Sequence, residues 1–438
     1  MHRSALRLAL RCRPPVMLAA AIALLVAGSA AALGGQNEPV ASSPPVVRPS
    51  DDPPDSTTTV PPAPPSTEVA APAEPATPPA TEAPAEPVRE AAAVEAVPVP
   101  APEATPPPPP PPPAPRTAVL RLPLGKGMWL HHLDQAGSAP AVVAKAKAMG
   151  LTHLYLRVGS SKKGFYNQYG LNHLLPAAHA AGIKVVGWDF PYLFDPAADA
   201  DRSAAEIAYT TPDGHRMDAF SADIETAAEG VNLTAEGARA YGARLRELVG
   251  ADYPLIATVP RPSPKRAFPF AEATASFDAI APMVYWQNRD PATDAAQAMA
   301  DLAPFGKPVL LIGQAYDGGP EGGPAGPPPR SALDKFMATA LSHGAVGVSF
   351  WVWHTATAEH WAAIDGAGAW ELAGSDPSTA GRVTYLQRLL NLYGQPVTVD
   401  GDMGPQTRGA LATVQQSLGL PGTGVFDQAT FNSLFGLR

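Results

Sequence analysis

The chain has 438 residues, a formal net charge of −9, 45% hydrophobic residues and 54 prolines. That length and apolar content supply one barrel-sized core and a small second one. The acidic balance excludes a nucleic-acid or anionic-membrane surface, which needs clustered Lys and Arg, and a single cysteine, Cys12, excludes a disulfide framework.

Arg3, Arg7, Arg11 and Arg13 precede an apolar stretch from Val16 to about Leu33, which closes on small residues with Ala30 and Ala32 at signal-peptidase spacing. Residues 1–33 therefore read as a cleaved signal peptide or, with about 18 apolar residues, a retained signal anchor. Either one places the rest of the chain outside the cytoplasm, secreted or in the cell envelope, with membrane contact only through this segment if it stays uncleaved. Cys12 lies inside it, so the exported part has no thiol nucleophile. Residues 34–116 are Pro, Ala, Glu, Thr and Val, ending in an unbroken proline run at 106–113. They have no periodic apolar face and read as a disordered tether, which at roughly 3.1 Å per residue reaches on the order of 250 Å.

From residue 117 the texture changes to short apolar runs alternating with Ala-rich helical stretches. The spacing predicts strands at 127–133, 153–158, 184–190, 218–225, 254–259, 279–286, 309–316 and 347–353, and helices at 139–150, 171–182, 234–250 and 331–344, among others. Several strands are almost continuously apolar, as in Val-Leu-Leu-Ile at 309–312, which suits parallel strands covered by helices on the outside. Eight such units over 117–372 predict an α/β fold of the (β/α)8 TIM-barrel type, and the absence of Gly-x-Gly-x-x-Gly after the first strand argues against a dinucleotide fold. In a barrel the site lies at the C-terminal strand ends. The residues expected there are Asp134, Arg157, Asp189, Asp223, Glu225, Tyr285, Trp286, Gln314, Trp351, Trp353 and His354, an acidic and aromatic set suited to sugar rings.

The fourth predicted strand carries the sharpest signal. Alternation along Asp218-Ala-Phe-Ser-Ala-Asp-Ile-Glu225 puts Ser221, Asp223 and Glu225 on one face, taken as the interior because Ala222 and Ile224 suit the helix layer. Carboxylates at i and i+2 lie about 6.6 Å apart along a strand, close enough for one to keep the other protonated in a dry cleft. Glu225, nearest the mouth, is the expected proton donor and Asp223 its partner. The octet resembles the D-x-x-D-x-D-x-E signature of family-18 chitinases, with Ser221 at the second aspartate. Met283-Val-Tyr285 is similar to that family's Met-x-Tyr, and Trp353 to its floor tryptophan. The resemblance implies Glu225 as acid, Asp223 and Tyr285 as handlers of a C2 acetamido group, and attack by the substrate's own carbonyl. Asp223-Ile-Glu225 is also similar to the D-x-E of family-25 muramidases, although Gly127-Met-Trp-Leu-His131 replaces the opening of that family. Arg157, Asp189, Met283, Trp286, Gln314 and Trp353 are the expected substrate contacts. His131-His132 lacks metal-site spacing, and neither a metal nor a cofactor is expected. The Gly/Pro-rich loop 317–329 reads as a lid or a mobile insertion.

After a short hinge at 373–381, residues 382–438 show an amphipathic helix, then Asp400-Gly-Asp-Met-Gly-Pro-Gln-Thr407, a helix at 409–418, and Gly424-Val-Phe-Asp-Gln-Ala-Thr430 before a last helix. The L-Q-x-x-L run at 386–390 with the two Gly-to-Thr halves resembles the peptidoglycan-binding domain type 1. Leu386, Leu389, Leu390, Leu411 and Leu434 are its expected core, and Asp400 and Asp402 its loop braces. Together the two resemblances imply an exported, endo-acting glycosidase on N-acetylated wall glycan, with peptidoglycan or a related polysaccharide as partner. The alternative, which Ser221 favours, is a non-catalytic wall-binding scaffold.

Overall fold

The structure, a computed structural model, describes residues 117–264, 267–367, 370 and 380–436. The expected targeting segment (1–33), the tether (34–116) and hinge residues 373–379 lie outside the described residues.

Among the described residues nine strands form one sheet: β1 (Gly125–Leu130), β2 (His153–Ser160), β3 (Gly164–Phe165), β4 (Lys184–Phe190), β5 (Ala219–Asp223), β6 (Leu255–Pro260), β7 (Ala279–Val284), β8 (Leu310–Gln314) and β9 (Gly347–Trp351). Eight are parallel, and the pairing of β1 with both β9 and β2 closes them into a barrel; β3 is a two-residue antiparallel addition to β2. The strands are buried along nearly their whole length, the environment their continuous apolar runs require. Helix ends follow local chemistry. Thr234 caps the helix Ala235–Val249 by accepting from Gly237 N, and Gly250, at φ 80°, ends it where a side chain would be strained.

Parallel register fixes which side chains share the barrel interior. Trp188 pairs with Ser221, Asp223 with Thr258, Met283 with Ile312, and Gln314 with Trp351, so these point inward together. Low in the barrel, Gly127 faces His153, and a Cβ at Gly127 would lie 2.0 Å from His153 Nε2, so only glycine fits. The buried imidazole holds Nδ1 3.0 Å from Thr152 Oγ1. Burial, then the nearby Lys184 charge, pushes its pKa down to about 3, against a small opposing contribution from a backbone hydrogen bond. The folded value lies below the unfolded one, so the unfolded chain takes up the proton first. Stability is therefore lost as pH falls from the unfolded value near 6.5 toward the folded one. Urea unfolding should show His153 removing about 2 kcal/mol between pH 7 and roughly pH 5, a component missing in His153→Gln. Identical pH dependence in both proteins would contradict a neutral buried ring.

Three helices, Ala380–Leu392, Pro405–Ser417 and Gln428–Phe435, form the C-terminal module. Leu386, Leu389, Leu390, Leu411 and Leu434 are fully buried. The module packs against the N-terminal ends of the barrel strands, away from the mouth. Tyr385 Oη donates to Val346 O at 2.8 Å, Arg388 donates to Ser342 O at 2.7 Å, and the Trp370 and Tyr385 rings lie 5.0 Å apart.

Candidate functional site

The floor of the barrel is aromatic. Trp129 from β1 stacks on Tyr155 from β2, with centroids 4.0 Å apart and planes within 1° of parallel. Trp188 from β4 and Trp351 from β9 meet Trp129 at 5.5 and 6.0 Å and each other at 5.5 Å. The indole N–H groups of Trp129 and Trp188 are satisfied: Trp129 Nε1 donates to Ser349 Oγ at 2.9 Å and Trp188 Nε1 to Leu130 O at 3.2 Å. Trp129, Tyr155 and Trp188 are buried, whereas Trp351 is partly exposed and is the floor ring that reaches solvent. His131 and Arg157 complete this side, with Arg157 Nη1 against His131 Nε2 and its guanidinium 5.0 Å from the Trp188 ring centre.

Across from them, β5 delivers the carboxylates. Ser221 is buried and shares a 2.7 Å hydrogen bond with Thr258 Oγ1, so the hydroxyl ties β5 to β6. Asp223 ends the strand, 9% exposed, and Glu225 follows two residues later, half-buried. Tyr285, just past β7, lies edge-on to Tyr316, just past β8, with centroids 5.4 Å apart. Burial, then the neighbouring Tyr316, Asp223, Glu225 and Glu321, push the Tyr285 phenol well above its usual range, so it stays a neutral O–H donor. Burial, Glu321 and Glu225 do the same to Tyr316, whose Oη donates to Glu321 Oε2 at 2.6 Å. Asp223, Glu225, Tyr285, Tyr316 and Glu321 therefore form one electrostatic cluster at the mouth. Asp218, the first residue of the octet, sits at the other end of β5, where it accepts from Val185 N at 2.8 Å.

The loop 317–329, expected as a lid or a mobile insertion, is tied by hydrogen bonds. Glu321 also accepts from Gln287 Nε2 at 2.9 Å, and Asp317 Oδ1 accepts from Gly319 N at 2.8 Å and Gly326 N at 2.9 Å. Gln314 points inward but is 3% exposed, and its amide serves this loop. Its Oε1 accepts from Gln287 N at 2.8 Å and its Nε2 donates to Tyr316 O at 3.1 Å. Met283 is half-buried in the interior, beside Ile312 of β8.

Three expected contacts are placed elsewhere. Asp189 pairs in register with Ala222 and so faces the helix layer, fully buried, where it binds Arg202 at 2.7 Å and accepts from Ser203 Oγ at 3.1 Å. Glu206 is buried beside it; burial, then the Asp189 charge, push its carboxyl well up, so the one guanidinium, which also binds Asp199 at 2.5 Å, is not set against three full charges. Gly159 makes room for it, since a Cβ there would lie 1.9 Å from Glu206 Oε1. Trp286, one residue beyond Tyr285, turns outward against Phe336 at 5.3 Å and is 2% exposed. Trp353 lies in a short 3-10 turn and packs edge-on against Trp361 at 4.7 Å, leaving Trp351 as the floor tryptophan. The site in turn contains Trp188 in its floor and Tyr316 and Glu321 at its mouth, which strand-end reasoning missed. Trp188 lies in a strand apolar and buried nearly throughout, which gives no alternation to mark its facing, and Glu321, in an irregular loop, had no signal. Among the described residues, no group of three or more His, Cys, Asp or Glu could hold a metal ion.

Fold and site together define a (β/α)8 barrel with an acidic, aromatic mouth, followed by a three-helix module. Residues 379–434 match the family model of the peptidoglycan binding domain. No curated protein matches the sequence. Among solved structures, a GH18 chitinase from Flavobacterium johnsoniae is 14% identical with a TM-score of 0.44, over 56% of this chain and 93% of that one. A chitinase from Ipomoea carnea is 15% identical with a TM-score of 0.42, over 56% and 99%. A xylanase and alpha-amylase inhibitor protein from Scadoxus multiflorus is 15% identical with a TM-score of 0.41, over 57% and 98%.

Proposed function

We propose that the protein is an exported cell-wall glycosidase that cleaves N-acetylated glycan, held on its polymer by the C-terminal module. The observation that carries this reading is the grouping of Asp223 and Glu225 with a neutral Tyr285 at the end of a barrel whose floor ring Trp351 is partly exposed. An aromatic floor suits the apolar face of a pyranose ring, and carboxyl groups in the same barrel end suit protonation of a glycosidic oxygen.

In this mechanism Glu225 gives its proton to the leaving oxygen as the C1–O bond breaks. The carbonyl oxygen of the substrate's own acetamido group closes on C1, held by the Tyr285 hydroxyl, while Asp223 balances the charge that develops on the acetamido nitrogen. Water then adds to C1, returning its proton to Glu225 and restoring the acetamido group. No second enzymic nucleophile is needed, which suits a strand β8 that ends in Gln314. Attachment of the module to the same insoluble polymer raises the local concentration of glycan at the mouth.

Purified protein incubated with intact sacculi should release new reducing ends in proportion to time and enzyme. A second reading, a sugar-binding scaffold without turnover, is favoured by Ser221, because a hydroxyl bonded to Thr258 replaces a carboxylate beneath Asp223. Binding to sacculi with no new reducing ends would establish it.

A further inference from the structure

At the end of the barrel opposite the mouth, a cavity of about 660 Å³ lies between the strand N-termini and the last helix of the module. The barrel contributes Arg121, Lys184, His179 and His215, and the helix Gln428–Phe435 contributes Asn432 and Ser433. We propose that this seam is a composite binding site for a carboxylate-bearing peptide of the wall polymer, completed by barrel residues. The inference rests on the wall-binding reading of the module and extends it.

The lining is built for an anion. Asp218 is the one carboxylate in it, and that group is already engaged, accepting from His179 Nε2 at 2.9 Å and from Val185 N at 2.8 Å. His179 Nδ1 in turn lies 2.9 Å from His215 Nδ1. If His179 gives its Nε2 proton to Asp218, its Nδ1 accepts from His215, and the chain fixes both ring orientations at the cavity wall. Lys184 is buried; its ammonium donates to Arg121 O at 3.1 Å and Leu122 O at 3.2 Å, which leaves one of its three N–H groups beyond those two carbonyls. A Cβ at Gly436 would lie 3.3 Å from Lys184 Nζ, so a side chain there would crowd this ammonium from the module side. Arg121 is exposed, and among the described residues its guanidinium has no hydrogen-bond or ion-pair partner. Two basic groups, Arg121 and a Lys184 whose pKa burial pushes down to about 8, thus face one occupied carboxylate, beside amide and hydroxyl groups able to bond a peptide backbone.

The site extends along the same helix. A second cavity of about 470 Å³ shares Gly182, Ile183 and Asn432 with the first and adds Lys147, Gln428 and Phe431. An elongated groove with a cationic end and an apolar ring matches a short acidic peptide better than a single small anion. Mouth and seam lie at opposite ends of strands of about six residues, roughly 20 Å apart along the barrel axis. The seam therefore grips one part of the wall while the mouth faces another.

The test uses the full chain and a soluble disaccharide tetrapeptide released from peptidoglycan, with the same peptide carboxyl-amidated as comparison. Arg121→Glu should weaken binding of the acidic peptide at least about tenfold and leave binding of the amidated peptide unchanged. Amidation alone should cost the wild type a similar factor. Arg121→Ala, which keeps the backbone carbonyl used by Lys184, should give an intermediate loss. Equal affinity of wild type and Arg121→Glu for the acidic peptide, or equal affinity of wild type for both peptides, overturns the seam site while sacculus pelleting persists. A wild type that does not pellet with sacculi overturns the wall-binding reading and this inference with it.

Discussion

Glu225→Gln should lower release of reducing ends from sacculi by at least about a hundredfold, the usual worth of a positioned general acid. The substitution preserves side-chain length and planarity, and Glu225 is half-buried at a strand end, so the fold has little reason to respond. What is lost is the proton. The glycosidic oxygen then leaves as an alkoxide, and the oxocarbenium-like state loses its counterpart at the leaving group. Binding to sacculi should be unchanged, because the module docks at the other end of the barrel through Tyr385 and Arg388. The assay therefore compares turnover with pelleting in the same samples. Equal turnover in wild type and Glu225→Gln would move the acid role elsewhere in the cluster, to Glu321 first, since it bonds Tyr316 and acts on Tyr285.

Much of the architecture was readable because it repeats. Parallel barrel strands need apolar side chains on both faces, and eight such runs separated by helical stretches permit few other arrangements; β4 was expected at 184–190 and is found at Lys184–Phe190. The same property hid the facing of individual residues. In a strand apolar throughout there is no alternation to read, so Asp189 was assigned to the mouth for its charge, although its neighbour Trp188 is the one that points inward. Inside the octet, where Ser, Asp and Glu alternate with Ala and Ile, the facing was legible, and Ser221, Asp223 and Thr258 share the interior. Alternation also fails where a strand ends. The chain leaves β9 after Trp351 and turns, so Trp353, expected as floor tryptophan by resemblance with the strand running to 353, packs instead against Trp361. Glu321 reaches the cluster from a loop whose path is set by Asp317, Gln287 and Tyr316 together, a tertiary arrangement without sequence period.

The C-terminal repeat has a physical cause that its sequence pattern only hints at, and it supports a second large effect. Gln387 is fully buried in the first helix of the module and engages the loop that follows, and the start of the second helix, with both ends of its amide. The two N–H groups of its Nε2 are shared among Asp400 Oδ1 at 2.7 Å, Asp402 O at 2.9 Å and Thr407 Oγ1 at 3.1 Å, and its Oε1 accepts from Asp400 N at 3.1 Å and Gly401 N at 2.9 Å. Gln415 repeats the device one helix later, donating to Val425 O at 2.8 Å and Thr430 Oγ1 at 2.9 Å and accepting from Gly424 N at 2.9 Å. Each Gly-to-Thr half is thus a loop wound around one buried amide, with glycine at positive φ where the chain reverses, at Gly401 and Gly424. Gln387→Leu keeps the volume and removes every one of those partners. Thr407 is itself 3% exposed, so its hydroxyl depends more heavily on Asp402 O, and the loop amides must find water. The cost should be about 3 kcal/mol or more, set by the groups left unsatisfied rather than by the net worth of the bonds. A three-helix module of this size has little stability to spare. It should therefore unfold while the barrel stays folded: limited proteolysis should cut within 380–436 and spare 117–367, sacculus pelleting should be lost, and cleavage of a soluble glycan should persist. Gln415→Leu should give the same pattern through the second loop. Protease resistance and pelleting equal to wild type in Gln387→Leu would show that the loops hold their shape without the amide.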